Sequence, residues 1–260
     1  MWSILRHWFG GKKRVRVRQN RQRIVLSVEN APLVYAIGDL HGSLDLLLDA
    51  EDRIRFDVRR FDLPALVLLL GDLVDRGPRS AQVIDHILAS KSAEFDRIAI
   101  CGNHDAAFLD FLRNPKQNLA WLNYGGSETL RSYGIEAKYM LSEGGGLDAL
   151  VRAARETVPA EHVSFLREMP VSLQVGDVLY VHAGIFPGRP LSEQRDADFL
   201  WIRQPFLELG PQLPLIVVHG HTPQTEPSFH QGRIGIDTGA YATGRLTVLR
   251  NWQGHLELLA

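Results

Sequence analysis

Acidic and histidine side chains stand directly after short apolar runs in this 260-residue sequence. The clearest run covers residues 66–70 and is followed by Gly71, Asp72, Asp75 and Arg76. A run of this length predicts a buried strand, and open α/β sheets bind their ligands beyond the carboxyl ends of such strands. A carboxylate has enough lone pairs to bridge two cations, and an arginine can fork onto an anion. This loop therefore has side chains suited to metal and anion binding.

Four further predicted strand ends carry similar groups. The residues at these four ends are Asp39 and His41, Asn103 and His104, His182, and His219 and His221. Histidine, carboxylate and amide groups without a thiolate suit Mn, Fe or Zn rather than a cysteine-type structural zinc site. A single Asp-x-His pair is more often a capped turn than a pair of ligands. Five sets at equivalent strand ends are hard to explain as caps, so the sequence predicts a metal centre.

The elements that must position these groups follow from the hydrophobic pattern. The pattern predicts strands at 33–37, 66–70, 97–101, 171–175, 178–181, 215–218, 233–237 and 245–249. A helix follows each of the first three strands, and the first of these helices begins after Ser43 with Leu44, Leu47, Leu48 and Ile54 on its core face. The pattern predicts a mainly helical segment over residues 115–168. Parallel βα units followed by antiparallel strands predict a mixed α/β fold.

The motifs occur in a fixed order: Gly-Asp-Leu-His-Gly, Gly-Asp-Leu-Val-Asp-Arg-Gly, Gly-Asn-His-Asp, Val-His-Ala-Gly and His-Gly-His-Thr. This series resembles the calcineurin-like metallophosphoesterases, and within them the bacterial and phage serine/threonine phosphoprotein phosphatases. The resemblance covers roughly residues 31–250. It implies a four-layer α/β/β/α sandwich of two mixed β-sheets, with a dinuclear metal site at the C-terminal ends of the strands.

The resemblance also implies a role for each matching residue. It implies two divalent metal ions (Mn, Fe or Zn) held by Asp39, His41, Asp72, Asn103, His182 and His221, with Asp72 bridging both. A hydroxide between the metals would attack phosphorus in line. His104 would protonate the leaving group and Asp75 would orient it, while Arg76 and Arg203 would bind the substrate phosphate.

Four further positions lie near these motifs or depart from the family pattern. His219 lies two residues before His221, so on an ideal strand both point the same way; we expect it to support a ligand rather than to be one. Tyr241 either lines the substrate pocket or has only a packing role in the core. The family branch usually has Glu at the position of Asp105, and related bacterial sequences often have Asn at the position of Tyr124.

Three functions are compatible with these motifs. The first is a serine/threonine protein phosphatase acting on a phosphoprotein or phosphopeptide, favoured by the Leu-Trp-Ile-Arg stretch at 200–203 and by Asp75. The second is a symmetrical dinucleoside tetraphosphate hydrolase, which shares the early motifs and His-Ala-Gly-Ile at 182–185. The third is a metal-free interaction scaffold, which is disfavoured because every expected ligand is present.

The N-terminal segment differs in charge from the rest of the chain. Through Arg23 there are eight Lys/Arg and no acidic residue, whereas the remainder carries 21 basic and 30 acidic side chains. We predict a basic arm over 1–30 and a metallophosphoesterase domain over 31–260. The arm is either solvated or, through residues 1–23, in weak contact with an anionic membrane surface. One cysteine, Cys101, and no long apolar stretch predict a cytoplasmic protein, which membrane contact of the arm would make peripheral to the inner membrane face. The acidic remainder of the chain predicts no nucleic-acid partner.

Overall fold

Two mixed β-sheets form the centre of the computed structural model, which describes residues 21–27, 32–61, 63–89 and 91–260. The strands are β1 Arg23–Leu26, β2 Leu33–Ile37, β3 Ala65–Leu69, β4 Phe95–Ala99, β5 Ser172–Val175, β6 Val178–Val181, β7 Ile216–His219, β8 Ser228–His230, β9 Arg233–Gly235, β10 Val248–Trp252 and β11 His255–Leu258. One sheet has the order β11-β10-β2-β3-β4 and the other β1-β5-β6-β7-β9-β8. Strands β2, β3 and β4 are parallel, as are β6, β7 and β9.

The two sheets pack face to face because their strands alternate between two apolar clusters. In β2, Val34 and Ala36 join a cluster that also contains Leu173 and Val218 of the other sheet. Their neighbours in β2 face the opposite way, into a larger cluster with the helices. A hydrogen bond of 2.8 Å from Asn251 to the Tyr180 hydroxyl also joins the sheets.

Helices cover the outer faces of both sheets. They are α1 Leu44–Val58, α2 Ser80–Ala89, α3 Asn103–Arg113, α4 Gly126–Ser132, α5 Ala137–Ser142, α6 Gly146–Thr157, α7 Ala160–Glu168, α8 Asp196–Trp201, α9 Phe206–Leu209 and α10 Ala240–Thr243, with 3-10 turns at Leu119–Tyr124 and Leu191–Glu193. The four-layer α/β/β/α sandwich with two mixed sheets is confirmed.

Some element boundaries and faces differ from the prediction. β4 starts and ends two residues earlier than expected, because its pairing with β3 matches Phe95 with Ala65 and Ala99 with Leu69. Arg97 lies inside this strand, where it pairs with Glu51 at 2.6 Å. β10 starts three residues later, because the backbone carbonyl and N–H of Arg245 bond to the side chains of Thr238 and Thr243. On α1 the predicted core residue Leu48 is exposed, and the helix begins after Ser43 without a side-chain cap bond.

The N-terminal segment is partly inside the fold. Arg23–Leu26, placed in the arm by the sequence analysis, forms β1 and pairs with β5 in parallel. Residues 1–20 lie outside the described residues, and so does most of the 1–23 segment for which a solvated arm and membrane contact were the two alternatives. Within the described part of the chain, no helix has both the length and the apolarity to cross a membrane. The division at residue 30 stays a prediction.

Candidate metal centre and active site

The predicted metal ligands converge at one edge of the sandwich. Asp39 follows β2, Asp72 follows β3, Asn103 begins α3 after β4, His182 follows β6, and His221 lies two residues beyond β7. All are buried, as is His41. Oδ2 of Asp72 lies 3.5 Å from Nε2 of His41 and 3.4 Å from Nε2 of His182. Asp72 is therefore the central member of the group, as expected for a bridging carboxylate.

A second contact set surrounds Asn103. Its side-chain oxygen lies 2.8 Å from Nε2 of His182 and 2.9 Å from Nδ1 of His221. Within the described residues, one candidate ligand group contains His41, Asp72 and His104, and another contains Asp72, His182 and His221. The two groups share Asp72, which is the arrangement that two neighbouring cations require.

The hydrogen bonds of the histidine rings show that the donor set fits metal ions. Nδ1 of His41 donates to the Val74 carbonyl and Nδ1 of His182 to the Leu70 carbonyl, each at 2.8 Å. A carbonyl only accepts, so in the neutral rings Nε2 carries the lone pair and faces Asp72. Lone pairs directed at a carboxylate are stabilised by a cation between them, and a carbonyl bonded to the other ring nitrogen is the usual support of a metal-binding histidine.

The ionisation of Asp72 supports the same assignment. Burial opposes its charge, but the nearby His182, His104 and His41, together with the His104 backbone N–H, hold its pKa below the usual range. Burial lowers the pKa of His41 to about 4, against the attraction of Asp72. An ionised carboxylate beside neutral imidazoles is the protonation state in which these groups bind a divalent cation.

The backbone of the site is strained. The non-glycine residues with positive φ in the described chain include His41, Asp72, Asp75, Arg76 and His221. Such conformations cost free energy and persist only where surrounding structure imposes them, commonly at functional sites. Here they turn the side chains away from the strand direction and into the shared centre.

Asp237 is a site residue that the sequence analysis missed. It follows β9 at the same edge and is buried beside Asp39. Burial and the charges of Asp237 and Asp72 raise the pKa of Asp39 well above its usual range, while burial raises the pKa of Asp237 to about 6. The available signal was an Asp at the end of the predicted strand 233–237, the same pattern that identified the other loops.

Asp75 is held by three side chains. Its Oδ2 lies 2.6 Å from Nδ1 of His104 and accepts a 2.7 Å hydrogen bond from Nε1 of Trp121. Its Oδ1 accepts a 2.6 Å bond from the hydroxyl of Thr129. Burial opposes protonation of His104, but the bond to Asp75 and the charges of Asp72 and Asp75 raise its pKa overall. The predicted pairing of His104 with Asp75 is present in the geometry, and Trp121 is a further partner of Asp75 that the sequence analysis did not identify.

The two predicted phosphate-binding arginines occupy different positions. Arg76 donates from Nη1 to Nε2 of His41 at 3.0 Å and from Nη2 to Nε2 of His104 at 3.1 Å. Its guanidinium lies 5.0 Å from the ring centre of Tyr241, which also meets His41 edge-on at 5.3 Å. Tyr241 therefore lines the site. Arg203 is exposed and donates to the His221 carbonyl at 3.2 Å.

His219 lies outside both candidate ligand groups of the described chain. Its Nδ1 bonds the Gly220 carbonyl at 3.0 Å and its ring packs on Phe206 at 5.2 Å. The premise that His219 and His221 share a strand face is wrong, because His221 has a left-handed φ of 65° and has left the strand.

The two departures from the family pattern have different surroundings. Asp105 is buried and accepts hydrogen bonds from the backbone of Leu73 at 2.9 Å and of Gly102 at 2.8 Å. Asp105 therefore joins the loops that carry Asp72 and Asn103. The Asp side chain, although shorter than the Glu usual in the family branch, is long enough to make both bonds. Tyr124 is two-thirds exposed, in front of the turn whose Gly125 carbonyl accepts from the Arg76 backbone.

A model of the calcineurin-like phosphoesterase family matches residues 32–250 of the chain. The chain is 27% identical over 237 residues to the asymmetrical bis(5'-nucleosyl)-tetraphosphatase PrpE of Halalkalibacterium halodurans, covering 82% of this chain and 88% of the relative. It is also 27% identical over 235 residues to serine/threonine-protein phosphatase 1 of Salmonella typhimurium, covering 86% and 94%.

A solved structure shares the fold. It is described as that of a candidate diadenosine tetraphosphatase, and it aligns with a TM-score of 0.61 at 20% identity over 92% of this chain and 97% of that chain. The family match spans all the strand-end loops that make up the site. The chain therefore belongs to the calcineurin-like phosphoesterase family and is a metallophosphoesterase, a hydrolase.

Proposed function

We propose that this enzyme hydrolyses phosphate monoesters of serine and threonine residues in proteins. The observation that carries the proposal is the bond between His104 and Asp75, 2.6 Å long and reinforced by Trp121 and Thr129. A serine or threonine alkoxide is a strongly basic leaving group and must receive a proton as the P–O bond breaks. A nucleotide phosphate is a far weaker base and leaves without one. A histidine with a raised pKa, fixed by a carboxylate, matches the first requirement.

Arg76 and Arg203 would position the phosphate. In the free site Arg76 donates to the two imidazoles, His41 and His104. An arriving phosphate offers stronger acceptors, so the guanidinium turns onto it and releases Nε2 of His104 to carry a proton. Arg203 stands at the exposed rim, beside His221, where it can reach a second phosphate oxygen.

Two divalent cations would be held by Asp39, His41, Asp72, Asn103, His182 and His221. When bound, such a pair supplies Lewis-acid stabilisation of phosphoryl oxygens and activates water for attack on phosphorus. The chain's own contribution is to fix the ligands: backbone carbonyls set the ring orientation of His41 and His182. Manganese is the metal we would supply first, because histidine, carboxylate and amide oxygen ligands accommodate it.

Hydrolysis of dinucleoside tetraphosphates is the second candidate. Three aromatic side chains near the site are exposed: Tyr241 beside Arg76, Tyr124 before Gly125, and Trp201, whose ring lies 6.4 Å from His221. Exposed aromatic faces can stack on nucleobases. Relatives named as tetraphosphatases support this candidate too; they are of the asymmetrical type, whereas the sequence suggested comparison with the symmetrical type.

A side-by-side assay separates the two candidates. The purified protein, loaded with Mn²⁺, is given a phosphothreonine peptide and diadenosine tetraphosphate, and kcat/KM is measured for each, with His104→Asn as the matched variant. We expect a preference for the peptide, a loss of about 10²- to 10⁴-fold with the peptide in His104→Asn, and a smaller loss with the dinucleotide. A preference for the dinucleotide, with equal losses in the variant, would contradict the proposal.

A further inference from the structure

The strands that lead to Asp39 and Asp237 belong to different sheets but end side by side. Asp39 lies two residues beyond β2, and Asp237 lies two residues beyond β9 of the other sheet. Gly38 leaves no room for a side chain between them. A Cβ atom placed on Gly38 would lie 2.4 Å from the carbonyl oxygen of Ile236 and 3.6 Å from Cα of Asp237. The two backbones are therefore in contact, and this contact brings the two carboxyl groups together at the metal edge.

Hydrogen bonds hold Asp237 in this position. Its backbone carbonyl accepts a hydrogen bond from the N–H of Gln224 at 3.0 Å. Its Oδ1 accepts a second one from the N–H of Gly239 at 2.9 Å. The residue is buried, with 5% of its surface exposed. The carboxyl group of Asp237 is thus fixed against that of Asp39, with which it is in hydrogen-bond contact.

Neither carboxyl group has a cationic side chain of the protein beside it. The oxygens of Asp39 accept from the backbone N–H of His221 at 3.2 and 3.1 Å. Among the residues that the structure describes, neither Asp39 nor Asp237 forms an ion pair, and Arg76 acts on both only over a longer distance. Two buried carboxylates in contact repel each other and lose their hydration unless a cation compensates them. The pair therefore needs a cation that the chain itself does not provide.

The charges of the assigned metal ligands lead to the same conclusion. Two divalent cations carry four positive charges, whereas only two of the assigned ligands, Asp39 and Asp72, are carboxylates. We call the position of Asp39, His41 and Asp72 the first metal position; it has three protein ligands, and the second position has four. A further carboxylate beside a buried cation attracts it strongly, because little solvent screens the interaction. Asp237 is placed to supply that charge at the first position.

We propose that Asp237 is the charge partner of the first metal position. Its carboxylate, held against Asp39, strengthens the binding of the divalent cation there without being one of the assigned ligands. This inference rests on the metal pair and not on the choice of substrate. Its test therefore measures metal binding alone, and its outcome does not depend on which phosphoester the enzyme prefers.

Titration of the full-length, metal-free protein with Mn²⁺, followed by calorimetry and EPR spectroscopy, tests the role of Asp237. Asp237→Asn keeps the size of the side chain and an oxygen for the N–H of Gly239, but it loses the charge. The wild type should bind two ions, whose spins are coupled through the shared carboxylate of Asp72. In Asp237→Asn we expect one ion to bind as before and the other about 10- to 100-fold more weakly, the range for groups that support metal ligands. At two equivalents of Mn²⁺ the variant should show the signal of an isolated ion, and excess Mn²⁺ should restore the coupled signal.

Three further variants identify the position and the cause. Asp39→Asn removes a ligand of the first position and should weaken the same ion as Asp237→Asn does. Asp177→Asn is the control for the loss of a carboxylate, because Asp177 is exposed in the turn before β6, at the opposite end of the same sheet. It should bind both ions as the wild type does. Asp237→Ser, which is smaller and uncharged, should weaken the same ion and repeats the test if the amide disturbs folding.

The outcomes that would overturn the proposal are specific. Equal affinity of both ions in Asp237→Asn and in the wild type would show that the charge of Asp237 does not act on the metals. Equal weakening of both ions would indicate a general distortion of the site instead of a charge at one position. Fewer than two ions in the wild type would overturn the metal pair together with this inference.

Discussion

The indole N–H of Trp121 donates a 2.7 Å hydrogen bond to Oδ2 of Asp75, the same oxygen that bonds His104. The two residues are 46 positions apart in the chain. The indole ring is also packed, stacking on Phe108 at 5.2 Å and lying 4.8 Å from Phe111. Trp121 thus links the helical layer to the carboxylate that orients the proposed acid.

Replacing Trp121 with Phe should separate these two roles. The phenyl ring keeps most of the packing, but Asp75 loses one donor and holds His104 less firmly. We expect kcat for a phosphothreonine peptide to fall about 10-fold, because partners of this kind typically contribute 10- to 100-fold. An aryl phosphate with a good leaving group should react almost as before. Thr129→Val is the matched variant at the other oxygen; equal losses with both substrates would contradict a role through His104.

Asp72→Asn should remove metal binding and activity together. Asp72 is the ligand shared by both candidate groups, and the amide has neither the charge nor the second anionic oxygen to bridge two cations. We expect bound manganese, measured by elemental analysis after dialysis, to fall from two ions per chain to one or none. Activity should fall on the order of 10³-fold or more. Asp45→Asn, at an exposed position, is the control; full metal content in Asp72→Asn would remove Asp72 from the bridging role.

Glu51 should make stability depend on pH. This buried carboxylate bonds Arg97 through both oxygens and also contacts His86. Burial opposes its charge, but these partners lower its pKa from 4.5 to about 2. A depressed folded-state pKa contributes stability that is complete above pH 4.5 and is lost as the pH falls towards 2. The shift corresponds to about 3 kcal/mol.

Denaturant unfolding of Glu51→Gln tests this contribution. At pH 7 the variant should be less stable than the wild type by about 3 kcal/mol. The difference should shrink below pH 4.5, because a protonated glutamate resembles glutamine. Glu156→Gln, on an exposed helix position, should change stability by less than about 0.5 kcal/mol at every pH. A difference that stays constant down to pH 3 would show that the charge of Glu51 is not the cause.

Two truncations should locate the point at which the N-terminal segment becomes structural. Nη1 of Arg21 donates to the carbonyls of Leu166, Arg167 and Met169, and its backbone N–H bonds Asp196 at 2.7 Å. Removing residues 1–20 keeps these bonds, so the melting temperature and aryl phosphate hydrolysis should not change. Removing residues 1–23 deletes them and shortens β1, at a cost of roughly 2–4 kcal/mol. Equal stability of the two truncations would contradict an anchoring role for Arg21.

The sequence by itself determined the parts of this protein that depend on local order. Apolar runs of strand length, each ending in Asp, Asn or His, are readable without a fold, because strand burial and the polarity of the following loop are local properties. They were enough to predict a mixed α/β fold, the common edge and a metal centre that includes Asp72 and His182. The four-layer sandwich and the assignment of each metal ligand were implied by the family resemblance. The shifted position of β4 shows the limit of such patterns, since the ends of this strand are set by its pairing with β3, which is not a local property.

Tertiary structure decided the contacts between residues that are distant in the chain. Trp121 and Thr129 reach Asp75, and Asp237 lies beside Asp39, only because separate layers and strands pack together. The different directions of His219 and His221 also depend on the fold, because surrounding contacts hold His221 in a backbone conformation that an isolated chain disfavours. A spacing of two residues specifies a shared face only while the strand continues, and packing alone determines where it stops.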